Sequence, residues 1–118
     1  MLIVDDCAAL RSRLVHLFAE FKQLQVVGEA EDGRSALEAI GALEPNLVTL
    51  DINMPELTGL DVLRGLKGKA RKPQVIVLAV LIDRHDRELC LELGASHVFD
   101  KVLELEGFLQ TVRSLAML

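Results

Sequence analysis

Three apolar runs of this sequence end on charged residues. The runs cover residues 2–4, 47–50 and 97–99, and the charged residues that end them are Asp5 with Asp6, Asp51, and Asp100 with Lys101. If the runs are parallel strands, their carboxyl ends meet at one edge of a sheet, and these side chains gather there. A buried group of carboxylates is unfavourable unless a cation neutralises it.

Mg²⁺ suits such a cluster, because it binds a few carboxylates and keeps several waters. We predict Asp6 and Asp51 as its ligands, with Asp5 binding directly or through water. The backbone carbonyl of Asn53 is predicted as a further ligand. Asp51 is then the nucleophile toward a phosphoryl donor and forms an aspartyl phosphate. Lys101 is the lysine placed to share the charge of the transferred group.

Five β-type runs alternate with helical patterns along the chain. We predict strands over residues 2–5, 25–29, 47–51, 74–79 and 97–100. The fourth helix is expected to follow an N-cap at Asp83 and to stop at Gly94. Strands 1, 3 and 4 are nearly continuous Val, Ile and Leu, which is typical of a parallel sheet covered on both faces. The pattern therefore predicts a (βα)5 doubly wound α/β sandwich.

The composition predicts a single domain over residues 1–118, without an output domain. With 51% hydrophobic residues the chain is not of the disordered class. The longest apolar stretch, residues 75–82, is too short to span a bilayer. The net charge of −5 argues against nucleic acid as a partner of this domain. We expect a cytoplasmic protein in which Cys7 and Cys90 are free thiols.

Several motifs resemble the receiver domains of response regulators in two-component signalling, over essentially the whole chain. They are Ile3-Val4-Asp5-Asp6, Gly28-Glu29-Ala30-Glu31-Asp32-Gly33, Asp51-x-x-Met54-Pro55-x-x-x-Gly59, Gly94-Ala95-Ser96 and Lys101. The resemblance implies a flavodoxin-like strand order of 2-1-3-4-5. It also implies that Asp51 is the phosphoacceptor, that Asp5 and Asp6 bind Mg²⁺, and that Lys101 contacts the phosphoryl group.

The same resemblance implies the partners of the domain. A histidine kinase or phosphotransfer protein is the expected donor. A downstream protein is expected to bind the face formed by helix 4, strand 5 and helix 5, and a weak homodimer is a further expectation. Membranes and nucleic acids are not expected partners.

Three positions depart from the family pattern. Ala79 replaces a Ser or Thr whose hydroxyl contacts the phosphoryl group, Val98 replaces the switch aromatic, and Val102 replaces a proline. We expect a domain that accepts phosphate but responds weakly or through other contacts. Asn53 and Leu81 are predicted to tune the lifetime of the phosphate, with the bulky Leu81 slowing its loss by excluding water.

Two other interpretations stay open at this point. A pseudo-receiver would act as a protein–protein interaction module without phosphorylation-dependent switching. A phosphatase with an aspartyl nucleophile is disfavoured, because residues 51–53 lack the second aspartate that such enzymes use. Beyond self-catalysed phosphoryl acceptance, no enzymatic activity is expected, and the chain fits either a stand-alone receiver or one excised from a longer protein.

Overall fold

The computed structural model of the protein describes residues 1–117. Its strands are β1 (Leu2–Val4), β2 (Gly28–Ala30), β3 (Leu47–Asp51), β4 (Gln74–Ala79) and β5 (His97–Asp100). Its helices are α1 (Ala8–Phe18), α2 (Gly33–Leu43), α3 (Gly59–Leu66), α4 (Arg84–Glu92) and α5 (Leu105–Ala116). The strands are parallel and lie in the order β2-β1-β3-β4-β5, which confirms the predicted architecture and strand order.

The sheet separates two hydrophobic cores, because successive side chains of a strand point to opposite faces. In β4, Val75 and Val77 belong to one core, whereas Ile76 and Leu78 belong to the other. Helices α2, α3 and α4 cover the first face, and α1 and α5 cover the second. Burial on both faces explains why the central strands consist almost entirely of Val, Ile and Leu.

Strand β2 begins later than the predicted segment 25–29, and that prediction of its bounds is wrong. Gly28 is aligned with Leu2, the first residue of β1, which is the only neighbour of β2 in the described sheet. Residues before Gly28 therefore extend beyond the end of their partner strand. The Val27 N–H still donates to the carbonyl of Met1 at 2.9 Å, but the regular pairing starts one residue later.

The remaining element predictions agree closely with the structure. Strands β3, β4 and β5 have the predicted bounds, and β1 ends at Val4, one residue before its predicted end. The side chain of Asp83 caps α4 by accepting a hydrogen bond from the Asp86 N–H at 2.8 Å. Gly94 follows α4 with a φ of 109°, a backbone conformation that favours glycine. Within residues 1–117, the helices lack the combined length and apolar character needed to cross a bilayer.

Candidate functional site

Three carboxylates lie together at the carboxyl ends of β1 and β3. Asp5 directly follows β1 and Asp51 is the last residue of β3; their side chains are 1% and 2% exposed. Asp6 is exposed at the rim. One oxygen atom from each carboxylate lies within 4.8 Å of the others. The structure therefore brings the predicted acidic residues to a single point.

Lys101 closes the cluster from the position directly after β5, the strand on the far side of β4 from β3. Its Nζ atom lies 2.7 Å from Oδ2 of Asp5 and 3.1 Å from Oδ2 of Asp51. Burial opposes the charged form of this side chain, which is 15% exposed, but the two carboxylates outweigh burial and raise the pKa of Lys101. The ammonium is therefore held in its charged form between the two buried aspartates.

The loops after β1 and β3 each turn back onto the carboxylate that precedes them. The Cys7 N–H donates to Oδ1 of Asp5 at 2.8 Å, and the Asn53 N–H donates to Oδ1 of Asp51 at 2.9 Å. In both aspartates one oxygen is thus held by the backbone two residues later, whereas the other faces Lys101. This arrangement fixes the orientation of both carboxylates.

Burial makes the charged form of Asp51 unfavourable. Burial raises the pKa of the Asp51 carboxyl, although the Asn53 N–H and the ammonium of Lys101 act in the opposite direction, and the charge of Asp5 adds to the increase. A carboxylate removed from water in this way gains from any added cation that approaches it.

The donor set fits a hard divalent cation such as Mg²⁺. It consists of carboxylate oxygens, which Mg²⁺ prefers, and the Lys101 ammonium contacts two of the three carboxylates. Oδ2 of Asp5 is buried, and it lies 2.7 Å from Nζ of Lys101. Asp5, Asp6 and Asp51 are the residues that could hold the ion. The backbone of Asn53 also reaches the site, and the role of its carbonyl as a ligand stays a prediction.

The predicted switch positions occupy different surroundings. Ala79 is fully buried at the end of β4, and Val98 is buried in the core beneath α4. Phe99, the next residue, lies on the opposite face of the sheet, where it packs against Phe108 with ring centroids 6.2 Å apart. The side chain of Leu81 is 83% exposed, so it is not packed over the carboxylates in this conformation. Its effect on phosphate lifetime stays a prediction.

A second polar cluster beside Lys101 was not predicted from the sequence. Asp100 accepts hydrogen bonds from the backbone N–H groups of Val102, Leu103 and Leu81. The first two contacts are local, and an Asp at a strand end is a signal for such a turn. The third contact joins residues that are 19 positions apart in the sequence, and no sequence pattern predicts it.

Comparison with known proteins identifies what the chain is similar to. The family described as the response regulator receiver domain matches residues 1–113. Protein-glutamate methylesterase/protein-glutamine glutaminase 5 of Myxococcus xanthus is 38% identical over 102 residues, which are 86% of this chain and 29% of that protein. The nitrate/nitrite response regulator protein NarL of Escherichia coli is 32% identical over 116 residues, covering 98% of this chain and 54% of that protein. The chain thus spans about half or less of the length of these curated relatives.

A solved structure shows the same similarity in three dimensions. A chain of the CheX–CheY–BeF3–Mg²⁺ complex from Borrelia burgdorferi superposes with a TM-score of 0.85 at 30% sequence identity. The match covers 97% of the present chain and 86% of that chain.

Proposed function

This chain belongs to the family of response regulator receiver domains, and from this premise we propose that it is a phosphoacceptor switch of a two-component phosphorelay. Asp51 receives the phosphoryl group, and Lys101 contacts it. The observation that supports this proposal best is the buried carboxylate of Asp51, 3.1 Å from the Lys101 ammonium and beside the carboxylates of Asp5 and Asp6.

In the proposed reaction, an oxygen of Asp51 attacks the phosphorus atom of the donor. The new O–P bond forms as the bond between phosphorus and the leaving atom breaks, and the leaving atom keeps the electron pair. Lys101 stabilises the negative charge on the transferred oxygens, and the Asn53 N–H keeps the carboxylate oriented during the attack. Mg²⁺ bound by Asp5, Asp6 and Asp51 supplies further charge stabilisation.

The proposed donor is a phosphohistidine of a histidine kinase or phosphotransfer protein, whose P–N bond breaks in the transfer. The match to a chain of a complex that contains BeF3 and Mg²⁺ supports a site for a phosphoryl group and a metal ion. We propose the cytoplasm as the location, the α4–β5–α5 face as the surface for a downstream protein, and a weak homodimer as a further assembly. Neither a nucleic acid nor a membrane is proposed as a partner of this domain.

Phosphorylation by acetyl phosphate with Mg²⁺, measured by intact mass spectrometry, tests the proposal. We expect the protein to gain the mass of one phosphoryl group. The Asp51→Asn variant keeps the acceptor for the Asn53 N–H but lacks the nucleophile, so it should gain nothing. No mass gain in the wild-type protein, or an equal gain in the variant, would contradict the proposal.

The absence of a hydroxyl at Ala79 favours one alternative, a pseudo-receiver that binds partners without switching. Ala79 is fully buried at the end of β4 and has no donor for a phosphoryl oxygen. The two functions differ in what phosphorylation changes. A partner protein that binds the wild-type domain and the Asp51→Asn variant equally well, with or without acetyl phosphate, would favour the pseudo-receiver.

A further inference from the structure

Asp100 joins the two loops that flank Lys101. Its carboxylate is 5% exposed at the end of β5. Oδ1 accepts hydrogen bonds from the N–H groups of Val102 at 2.8 Å and Leu103 at 2.9 Å, in the loop after β5. Oδ2 accepts a hydrogen bond from the N–H of Leu81 at 3.1 Å, in the loop after β4. We call this set of contacts the Asp100 bridge.

The segment that the bridge holds has an unfavourable backbone conformation. Leu81 has a φ of 51°, in the left-handed region that residues with a side chain rarely adopt. Its side chain is largely exposed, so packing of that side chain does not hold the loop in place. Such a conformation persists only where the surroundings impose it, and the hydrogen bond from Leu81 to Asp100 is a contact that does so.

A charged network ties α4 to the same end of β5. Glu104 accepts hydrogen bonds from the N–H of Asp100 at 3.0 Å and from the guanidinium of Arg87 at 2.8 Å. Arg87, on α4, also donates to the carbonyl of Val98 at 2.7 Å. The hydrogen bonds from Leu103 and Val102 are the main reason that the pKa of Asp100 lies below its ordinary value, so its carboxylate is charged near neutral pH.

The loop after β4 has no side chain with which to bind a phosphoryl group. Residues 79–82 are Ala, Val, Leu and Ile, so the polar groups of this segment are those of its backbone. The N–H of Leu81 is already committed to Asp100. The position of this loop therefore depends on Asp100, and residues 79–82 offer no polar side chain that could contact a phosphoryl group on Asp51.

We propose that Asp100 is a positioning residue that fixes the β4–α4 loop against the β5–α5 loop, whether or not Asp51 is phosphorylated. The proposal rests on the phosphoacceptor function given above and states how the signal from that site is limited. A loop held by an internal carboxylate has the same position in both states. Release of the bridge makes the loop mobile and sensitive to a ligand at Asp51.

Amide hydrogen exchange measured by NMR on the ligand-free protein tests the bridge itself. In the Asp100→Ala variant, the Leu81 amide should exchange at least about tenfold faster than in the wild-type protein. The reason is that the amide loses the protection given by a hydrogen bond to a charged acceptor. The Asp83→Asn variant is the matched control. It removes a nearby negative charge but keeps a good helix cap, so it should leave the Leu81 amide protected.

The Asp100→Asn variant keeps the measurement informative if the alanine variant does not fold. Its side chain retains one acceptor oxygen, so either the Leu81 amide or the amides of Val102 and Leu103 should lose protection. Either result breaks the bridge and supports the proposal. An unprotected Leu81 amide in the wild-type protein, or unchanged exchange at all three amides in the variants, would overturn it.

A measurement with beryllofluoride and Mg²⁺, which together mimic a phosphoryl group, distinguishes failure of the Asp100 bridge from failure of the phosphoacceptor function. Exchange of the Leu81 amide in the wild-type protein should be the same with and without the mimic, whereas in Asp100→Ala it should change. An equal change in both proteins would overturn the proposal. Failure of the mimic to shift resonances around Asp51 in any variant would instead argue against the proposed function and leave the ligand-free exchange test standing.

Discussion

Asp5, Asp51 and Lys101 show how single residues at this site balance opposing contributions to the free energy of unfolding. The ammonium of Lys101 stabilises the folded state by neutralising two buried carboxylates, 2.7 and 3.1 Å away. One positive charge cannot compensate two negative ones fully, and burial leaves the pKa of Asp51 above its ordinary value. The charged form of Asp51 therefore lowers the stability of the fold while it prepares the site for cations.

A neutral residue at position 51 should make the protein more stable near pH 7. We expect Asp51→Asn to raise the melting temperature, because Asn still accepts from the Asn53 N–H and removes the charge that burial disfavours. Because the pKa of Asp51 is raised in the folded state, the folded protein takes up this proton at a higher pH than the unfolded chain does. The destabilisation by the charged carboxylate is therefore present above the folded-state pKa. It disappears as the pH falls below the ordinary value of 3.8.

Thermal denaturation at several pH values measures this difference. The difference in melting temperature between the variant and the wild type should be largest at neutral pH and should vanish in acid. A gap that widens as the pH falls would show that Asp51 contributes to stability with the opposite sign.

The elements around the site are held together by a close approach between α3 and the end of β3. A Cβ atom at Gly59, the first residue of α3, would lie 2.6 Å from both the carbonyl oxygen of Asp51 and the Cα atom of Ile52. Backbone atoms at this distance cannot move aside as a flexible side chain can. Met54, in the loop between the two elements, is buried in the core. Glycine is therefore required at position 59 by the contact with Asp51 and Ile52.

Gly59→Ala should lower the free energy of unfolding by about 1–3 kcal/mol, the range for a side chain forced into a packed site. Gly41, inside α2, is the matched control, because a Cβ atom there would meet no atom within 4 Å. Gly41→Ala should instead stabilise the protein by about 0.5–1 kcal/mol, since alanine is the better helix former. Urea denaturation of both variants measures these changes in the free energy of unfolding. Equal effects at the two positions would show that the approach between α3 and β3 is not tight.

The whole molecule places an acidic cluster at one edge of a sheet whose two faces are closed by helices. The cores on the two sides are apolar, so water or a ligand can reach the charges of Asp5, Asp51 and Lys101 only from the open edge. Asp6 is exposed at this edge. A ligand that binds this edge in the folded state alone must stabilise the entire domain, because the ligand shifts the unfolding equilibrium by mass action.

Mg²⁺ should accordingly raise the melting temperature of the wild-type protein in proportion to the logarithm of its concentration once the site is saturated. The Asp6→Asn variant should show a smaller increase, because it removes an exposed ligand without disturbing the buried pair. Glu92→Gln, an exposed charge at the end of α4, is the control and should respond like the wild type. The same Mg²⁺ response in all three proteins would exclude the carboxylate cluster as the binding site.

Much of this protein could be predicted from local patterns. The alternation of apolar runs with helical spacing indicated the (βα)5 fold, because side-chain periodicity and caps are properties of neighbouring residues. The grouping of Asp5, Asp51 and Lys101 followed from one topological rule, that parallel strands share an edge for their carboxyl ends. Residue types and their positions at strand ends were enough to place these three residues at a common edge of the sheet.

Contacts between distant segments were decided by the tertiary structure alone. The start of β2 depends on where β1 begins, and the pairing register of Gly28 with Leu2 comes from packing of the whole sheet. The Asp100 bridge depends on two loops being neighbours, so the hydrogen bond between Leu81 and Asp100 has no local signature. The sequence by itself determined which groups can carry out the chemistry, since their identity and strand-end positions are local. Only the folded molecule decided that Asp100 also holds the loop after β4, because that contact depends on the distance between segments that packing brings together.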